Sequence, residues 1–219
     1  MGNAKYNRGI RLLLLGLSIF ISPAFAADPM AGKIKAEDER CAECHGIDGN
    51  IHAPNESAKI PKLAGQRPDY LLKQFQDFRS SERKNDFMAM MARNLDDSDV
   101  VDILAWYASQ PVMSGIGTTN PQGQTLYLNG DPARGIEPCA SCHGVKGKGV
   151  QEALPKYPDL EPSLIPVIGG QDWHYLEQQL RDWRAGGRTN SQDGIMNKVT
   201  EKLSDSEINA LSDFIAALK

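Results

Sequence analysis

Apolar residues recur at helical spacing in four places along this 219-residue chain. Tyr70, Leu71, Gln74, Phe75 and Phe78 put one stripe on a helix whose first turn suits Pro68. Tyr175, Leu176, Leu180 and Trp183 make a second stripe of the same kind. Val100, Ile103, Leu104 and Tyr107 form a third, opened by Asp96 with Asp99 three residues on. Ile208, Leu211 and Ile215 form a fourth, opened by Ser204 with Glu207 in the capping-box position. A shorter helix is expected to run into each of two cysteine pairs, and no convincing alternation marks a strand. The pattern predicts an all-α chain with long loops.

The stripes come in matched pairs because the chain repeats itself. Cys41, Cys44, His45, Gly46 and Gly49 recur as Cys139, Cys142, His143, Gly144 and Gly147 at a shift of 98. Ile60-Pro61 and Gly65-Gln66 recur as Ile165-Pro166 and Gly170-Gln171 at a shift of 105, as do Tyr70, Leu71, Gln74 and Arg79. Leu95 recurs as Leu203 at a shift of 108. The growing shift locates insertions in loops, where added length costs little. A seam rich in Pro, Gly, Ser and Thr between Gln110 and Pro121 carries neither periodicity, so two units are expected, 27–113 and 114–219.

Ahead of them, Lys5, Arg8 and Arg11 precede an apolar run from Leu12 to Ile21, and Ala24-Phe25-Ala26 follows. This is the layout of a secretory signal peptide over 1–26, with cleavage expected after Ala26 and a periplasmic destination. The run is shorter than the ~20 apolar residues that span a bilayer. The segment holds three basic and no acidic residues, which leaves 21 basic against 28 acidic, a net charge of −7. An acidic chain without a basic run argues against nucleic acid or anionic lipid as partner and suits a protein with a basic docking patch.

Four cysteines in an exported chain would ordinarily suggest disulfides. Here they fall as Cys41-Ala-Glu-Cys44-His45 and Cys139-Ala-Ser-Cys142-His143. On a helix, positions i, i+3 and i+4 share a face, so two thiols can bond the vinyl groups of a haem while the histidine reaches its iron. A thioredoxin-like pair needs a βαβ setting that this chain lacks, and zinc sites do not require a histidine directly after each pair. The spacing therefore points to two covalent haem c groups, on Cys41 and Cys44 and on Cys139 and Cys142, with His45 and His143 as iron ligands. A domain this small also gains from a cofactor plate on which to pack.

An electron carrier benefits from an iron with both axial positions filled, and methionine sulfur raises its potential. Met196 is the only methionine in the second unit and stands seven residues before Leu203. Met88 stands seven before Leu95, which favours it among Met88, Met90 and Met91. Counting from Asn85 and Asn190 instead would pair Met196 with Met91, so Met91 and Met90 stay open as alternatives. Whichever methionines are not ligands are expected to fill gaps in a core. His52 and His174 have no counterparts in the opposite unit and read as loop histidines. Pro61 and Pro166 are placed to offer a carbonyl to the Nδ1 proton of each ligand histidine, with Pro158 competing in the second unit.

The segments CAECHGIDGN at 41–50, PKLAGQ at 61–66 and YLLKQF at 70–75 resemble the dihaem cytochrome c4 family. So do CASCHG at 139–144, GGQ at 169–171, and GRTN at 187–190 with Met196 following. The resemblance covers nearly all of 30–219 and implies two tandem cytochrome c-like domains, each wrapped around one covalent haem and related by pseudo-twofold symmetry. It implies histidine–methionine ligation and electron transfer from a quinol-oxidising complex or small soluble donor to a terminal oxidase or reductase. Any membrane association would be peripheral, through such partners. The loops at 54–60 and 154–165 are longer than the family pattern and would bear on docking. Two rivals carry different chemistry: a haem-bearing electron-accepting subunit of a dehydrogenase such as a flavocytochrome, and a dihaem enzyme such as a peroxidase or thiosulfate dehydrogenase. An enzyme needs an open iron site or an unusual ligand, whereas all four cysteines here are used in thioethers and each unit offers a methionine.

Overall fold

A computed structural model of the chain describes residues 27–51, 59–115 and 119–219. The expected leader over 1–26, His52 and most of the 54–60 loop lie outside the described residues. Among the described residues ten α-helices run in order: α1 (Pro29–Asp38), α2 (Cys41–His45), α3 (Pro68–Ser80), α4 (Asp86–Asn94) and α5 (Asp97–Ser109), then α6 (Pro121–Asn129), α7 (Ala140–His143), α8 (Trp173–Ala185), α9 (Ile195–Thr200) and α10 (Asp205–Ala217). Among the described residues there are two isolated β-bridges and no strand. Within the first half α1 crosses α5, and α3 packs on α4 and α5; within the second α6 crosses α10, and α8 packs on α9 and α10.

The four stripes become the buried faces of α3, α5, α8 and α10. Leu71, Val100, Ile103, Leu104 and Tyr107 form the first core. Leu176, Ile208, Leu211, Phe214 and Ile215 anchor the second. Pro68 starts α3, and Ser204 with Glu207 closes a reciprocal capping box at the head of α10. Asp96 stands at the N-cap of α5 but its side chain caps nothing, and Asp99 pairs instead with Lys35 on α1 at 2.7 Å. The matched arginines clamp equivalent loops: Arg79 donates to the carbonyls of Ala92 and Leu95, and Arg184 to that of Leu203.

Six of these helices, α1, α2, α4, α6, α7 and α9, had none of the four apolar stripes to announce them. The cysteine motifs ride on single turns of their own, α2 and α7, rather than on the ends of longer helices. The helices before them, α1 and α6, stop short of the motifs. They are seated by close backbone approach: a Cβ on Gly32 would stand 1.9 Å from the Asp102 carbonyl oxygen, and one on Gly123 at 1.9 Å from that of Ala210. These are equivalent crossings in the two halves. Gly123→Val should force α6 off α10, costing about 1–3 kcal/mol by overpacking, and guanidine denaturation of the purified protein should show it as a lowered midpoint; an unchanged midpoint would mean that the crossing does not depend on Gly123.

The capping box also sets a pH dependence. The hydrogen bond from Arg134 holds the Glu207 carboxyl down to about 2, outweighing burial and assisted by Ser204. Because this pKa lies below the ordinary carboxylate value of 4.5, its stabilisation is complete above that value and disappears as pH falls toward about 2. Thermal midpoints measured across this window should fall less steeply in Glu207→Gln than in the parent protein.

Candidate functional site

Each cysteine–histidine turn is held by the segment that follows it. Gly49 accepts backbone hydrogen bonds at its carbonyl from Leu63 at 2.8 Å and Ala64 at 3.2 Å; Gly147 does the same for Ile168 at 2.8 Å and Gly169 at 3.0 Å. A Cβ at either glycine would lie within 2.7 Å of the opposing backbone, so only glycine lets the segments lie this close. The approach brings the Pro61 carbonyl 3.0 Å from His45 Nδ1 and the Pro166 carbonyl 3.1 Å from His143 Nδ1. Pro158 makes no such contact. A carbonyl can only accept, so each imidazole carries its proton on Nδ1 and keeps its Nε2 lone pair free.

Both histidines are 8% exposed. Burial pushes their pKa values below the ordinary imidazole range, against the opposing pull of the proline carbonyls. They are neutral donors at physiological pH. All four cysteines are unpaired. Burial, with Glu39 adding to it, drives the Cys41 thiol up to about 11, and burial drives Cys139 up to about 12. A redox-active or nucleophilic pair needs a depressed thiol pKa, and these environments do the reverse. No cluster of three or more His, Cys, Asp or Glu converges among the described residues to hold a bare ion.

His45, Met88, His143 and Met196 line one continuous cavity of about 540 Å³ between the two halves, together with Cys139 and Cys142. Met91 and Met90 do not line it. Met90, expected to fill a core gap if it was not a ligand, is instead 46% exposed. The ambiguity of register has a structural cause. Asn85 caps α4 by accepting from the Met88 amide at 2.9 Å, whereas Asn190 is buried and donates to Gln74 and Asp77. Between Asn190 and Met196 the second half inserts a 3₁₀ turn, Gln192–Gly194, with Asp193 at φ 53°. That insertion carries the shift from 105 to 108, and at 108 Met88 pairs with Met196. His174 lies at the start of α8, 3.8 Å from Asp172, outside the cavity lining.

The interface itself obeys a twofold rule. Gln66 donates to the Val167 carbonyl and accepts from its amide, both at 2.8 Å. Gln171, its equivalent, accepts from the Lys62 amide at 2.7 Å and donates to its carbonyl at 2.9 Å. The four residues are 4–5% exposed. Arg83 and Arg188 are also equivalent at a shift of 105, but neither was singled out in the sequence, although Arg188 stands in the GRTN segment; their match within the repeat was the available signal. From the second half, the 154–165 loop brings its Pro162–Leu164 turn against α3 of the first.

These residues fit the group that the cysteine–histidine spacing implies. Two thiols and an imidazole share one turn, the free Nε2 belongs to a cavity-lining histidine, and a thioether lines the same cavity. Removing either glutamine side chain leaves a buried amide and carbonyl without partners, so Gln66→Leu and Gln171→Leu should each cost about 1–3 kcal/mol in denaturant titrations of the purified protein.

A family model for cytochrome c matches residues 30–110 and 122–219. Cytochrome c4 of Pseudomonas aeruginosa is 39% identical over 215 residues, covering 97% of this chain and 99% of that protein. A thiosulfate dehydrogenase electron acceptor of Thiomonas intermedia is 30% identical over 216 residues, 96% of this chain and 90% of that protein. The crystal structure of reduced recombinant cytochrome c4 from Pseudomonas stutzeri superposes with a TM-score of 0.76 at 36% identity, covering 89% of this chain and all of that one.

Proposed function

This chain belongs to the cytochrome c family, alongside the cytochromes c4, and from that membership we propose that it is a two-haem electron carrier of the periplasm. The observation that carries the reading is the pair of buried, neutral histidines, each directly after a thiol pair and each facing a methionine-lined cavity. Cys41 and Cys44 hold one haem c and Cys139 and Cys142 the other. His45 with Met88, and His143 with Met196, ligate the two irons. When bound, the haems supply reversible one-electron chemistry.

The protein's own contribution is to hold that chemistry still. The Pro61 and Pro166 carbonyls keep each imidazole in one tautomer and one orientation, so little rearranges when an electron arrives. Thioether ligation favours the reduced iron and raises the potential. His45 and Met88 would hold one iron and His143 and Met196 the other, an arrangement that would leave neither iron open to a substrate. On this reading the units are 27–113 and 114–219, residues 1–26 are a leader removed after about Ala26, and the donor and acceptor are redox proteins: a quinol-oxidising complex or small soluble carrier on one side, a terminal oxidase or reductase on the other.

The likeness to a thiosulfate dehydrogenase electron acceptor favours a second reading, a haem-bearing subunit that takes electrons from a dehydrogenase. Copurification with a dehydrogenase would select it. Both readings share the ligand set, which spectroscopy tests. Met88→Ala and Met196→Ala should each remove about half of the weak red charge-transfer band of methionine-ligated ferric haem and lower one midpoint potential. Met90→Leu and Met91→Leu should change neither. A full band in Met88→Ala would transfer the role to a neighbour.

A further inference from the structure

Two arginines meet in the cavity between the halves, and neither has a carboxylate to pair with among the described residues. Arg83 is 8% exposed and Arg188 7%. Arg83 donates to Gln74 at 2.9 Å, Tyr175 at 2.8 Å and Gln179 at 2.9 Å. Arg188 donates to Gln179 at 2.6 Å, Tyr70 at 3.2 Å, Gln74 at 2.8 Å and Asn190 at 2.9 Å. Tyr70 and Tyr175, and Gln74 and Gln179, are equivalent positions, so the network is itself a twofold. Each guanidinium also stacks on an aromatic ring of its own half, Arg83 on Phe78 at 4.6 Å and Arg188 on Trp183 at 4.3 Å.

The charges do not balance within the protein. The carboxylates nearby are committed elsewhere: Asp77 to Lys73 at 2.5 Å and to Asn190, and Asp182 to Gln178 at 2.5 Å. Gln74 Oε1 and Gln179 Oε1 each accept from both arginines, which holds two like charges against shared neutral acceptors. A buried charge without a counter-ion is costly, and a second like charge beside it raises the cost. Burial alone would push the Tyr175 phenol up, but the two guanidiniums outweigh it and bring its pKa below the ordinary range. Both arginines line the same cavity as His45, Met88, His143 and Met196. Anions are wanted there, and a haem c brings two propionates.

We infer that Arg83 and Arg188 form one shared positive centre for the propionates of both haems, and that each arginine therefore raises the potential of both irons. This rests on the two-haem reading. A positive charge in a poorly screened interior favours the form that holds the extra electron. Because either guanidinium is hydrogen-bonded into both halves, its influence is not confined to its own half. Arg83 and Arg188 are positioning residues, acting on the irons through the cofactor's carboxylates and through the field.

The test is a redox titration of the purified haem-loaded protein followed by NMR, which reads the shifted methyl signals of each haem separately. Arg83→Gln and Arg188→Gln should each lower both midpoints. Gln74→Glu, which places a carboxylate between the two guanidiniums at constant shape, should also lower both and avoids opening a hole should the arginine variants fail to fold. Midpoints that stay put in Gln74→Glu, or a shift confined to the haem of the substituted half, would overturn the shared centre. Haem and iron counts on the parent protein keep the two claims apart: fewer than two haems per chain sinks the carrier reading and this one with it, whereas two haems with unmoved midpoints sinks this one alone.

Discussion

A buried imidazole whose Nδ1 proton is tied to a backbone carbonyl has one group left to offer, the lone pair on Nε2. His45 and His143 are in this state, and much of the surrounding structure serves to keep them there. Glycines 49 and 147 let the proline segments close to backbone contact, the proline carbonyls fix the tautomer, and burial keeps the ring neutral. The cysteines one and four residues upstream are placed by the same turn. A ligand set of this kind does not have to be organised when metal arrives; it is largely built into the loop.

The second organising feature is the seam between the halves. Duplication of a domain supplies two copies of every polar side chain, and a twofold contact lets each copy satisfy the other's backbone. Gln66 with Val167 and Gln171 with Lys62 are such a pair of reciprocal bridges. Around them the symmetry is incomplete. Lys62 is buried and donates to the Gly170 carbonyl at 2.7 Å, yet its equivalent is Val167, and Arg67 reaches the carbonyl of Val150 at 2.6 Å where its equivalent, Asp172, caps α8. Two centres in equivalent folds thus sit in unequal electrostatic surroundings.

Much of this was legible in the sequence because it rests on local rules. The stripes of α3, α5, α8 and α10 follow from apolar spacing, the capping box of α10 from Ser204 and Glu207, and the carbonyls of Pro61 and Pro166 from their place in the repeat. What was not legible depends on distant partners. Nothing in the residues of α1 or α6 marks an apolar face, since a glycine against a carbonyl across the chain seats each one. Asp96 carries a capping residue type, but its side chain caps nothing, while Asp99 is drawn to Lys35. Gln74 counted as one position in an apolar stripe and is instead an acceptor for two arginines. A polar residue buried between repeats cannot be told from a surface one until its partner is in view. Counting back from Leu95 and Leu203 favours Met88 and counting on from Asn85 and Asn190 favours Met91; the two counts diverge over a stretch that holds the three-residue turn Gln192–Gly194, which no periodicity revealed.

Ligation, tautomer and seam all serve a molecule in which two haems are covalently joined to the chain at its two cysteine pairs. Mass spectrometry of the protein, produced in a host that matures c-type cytochromes and then denatured and digested, tests that attachment directly. One haem should be retained on the peptide spanning Cys41 to His45 and another on the peptide spanning Cys139 to His143. Peptides of unmodified mass, with all four thiols free to alkylate, would contradict it.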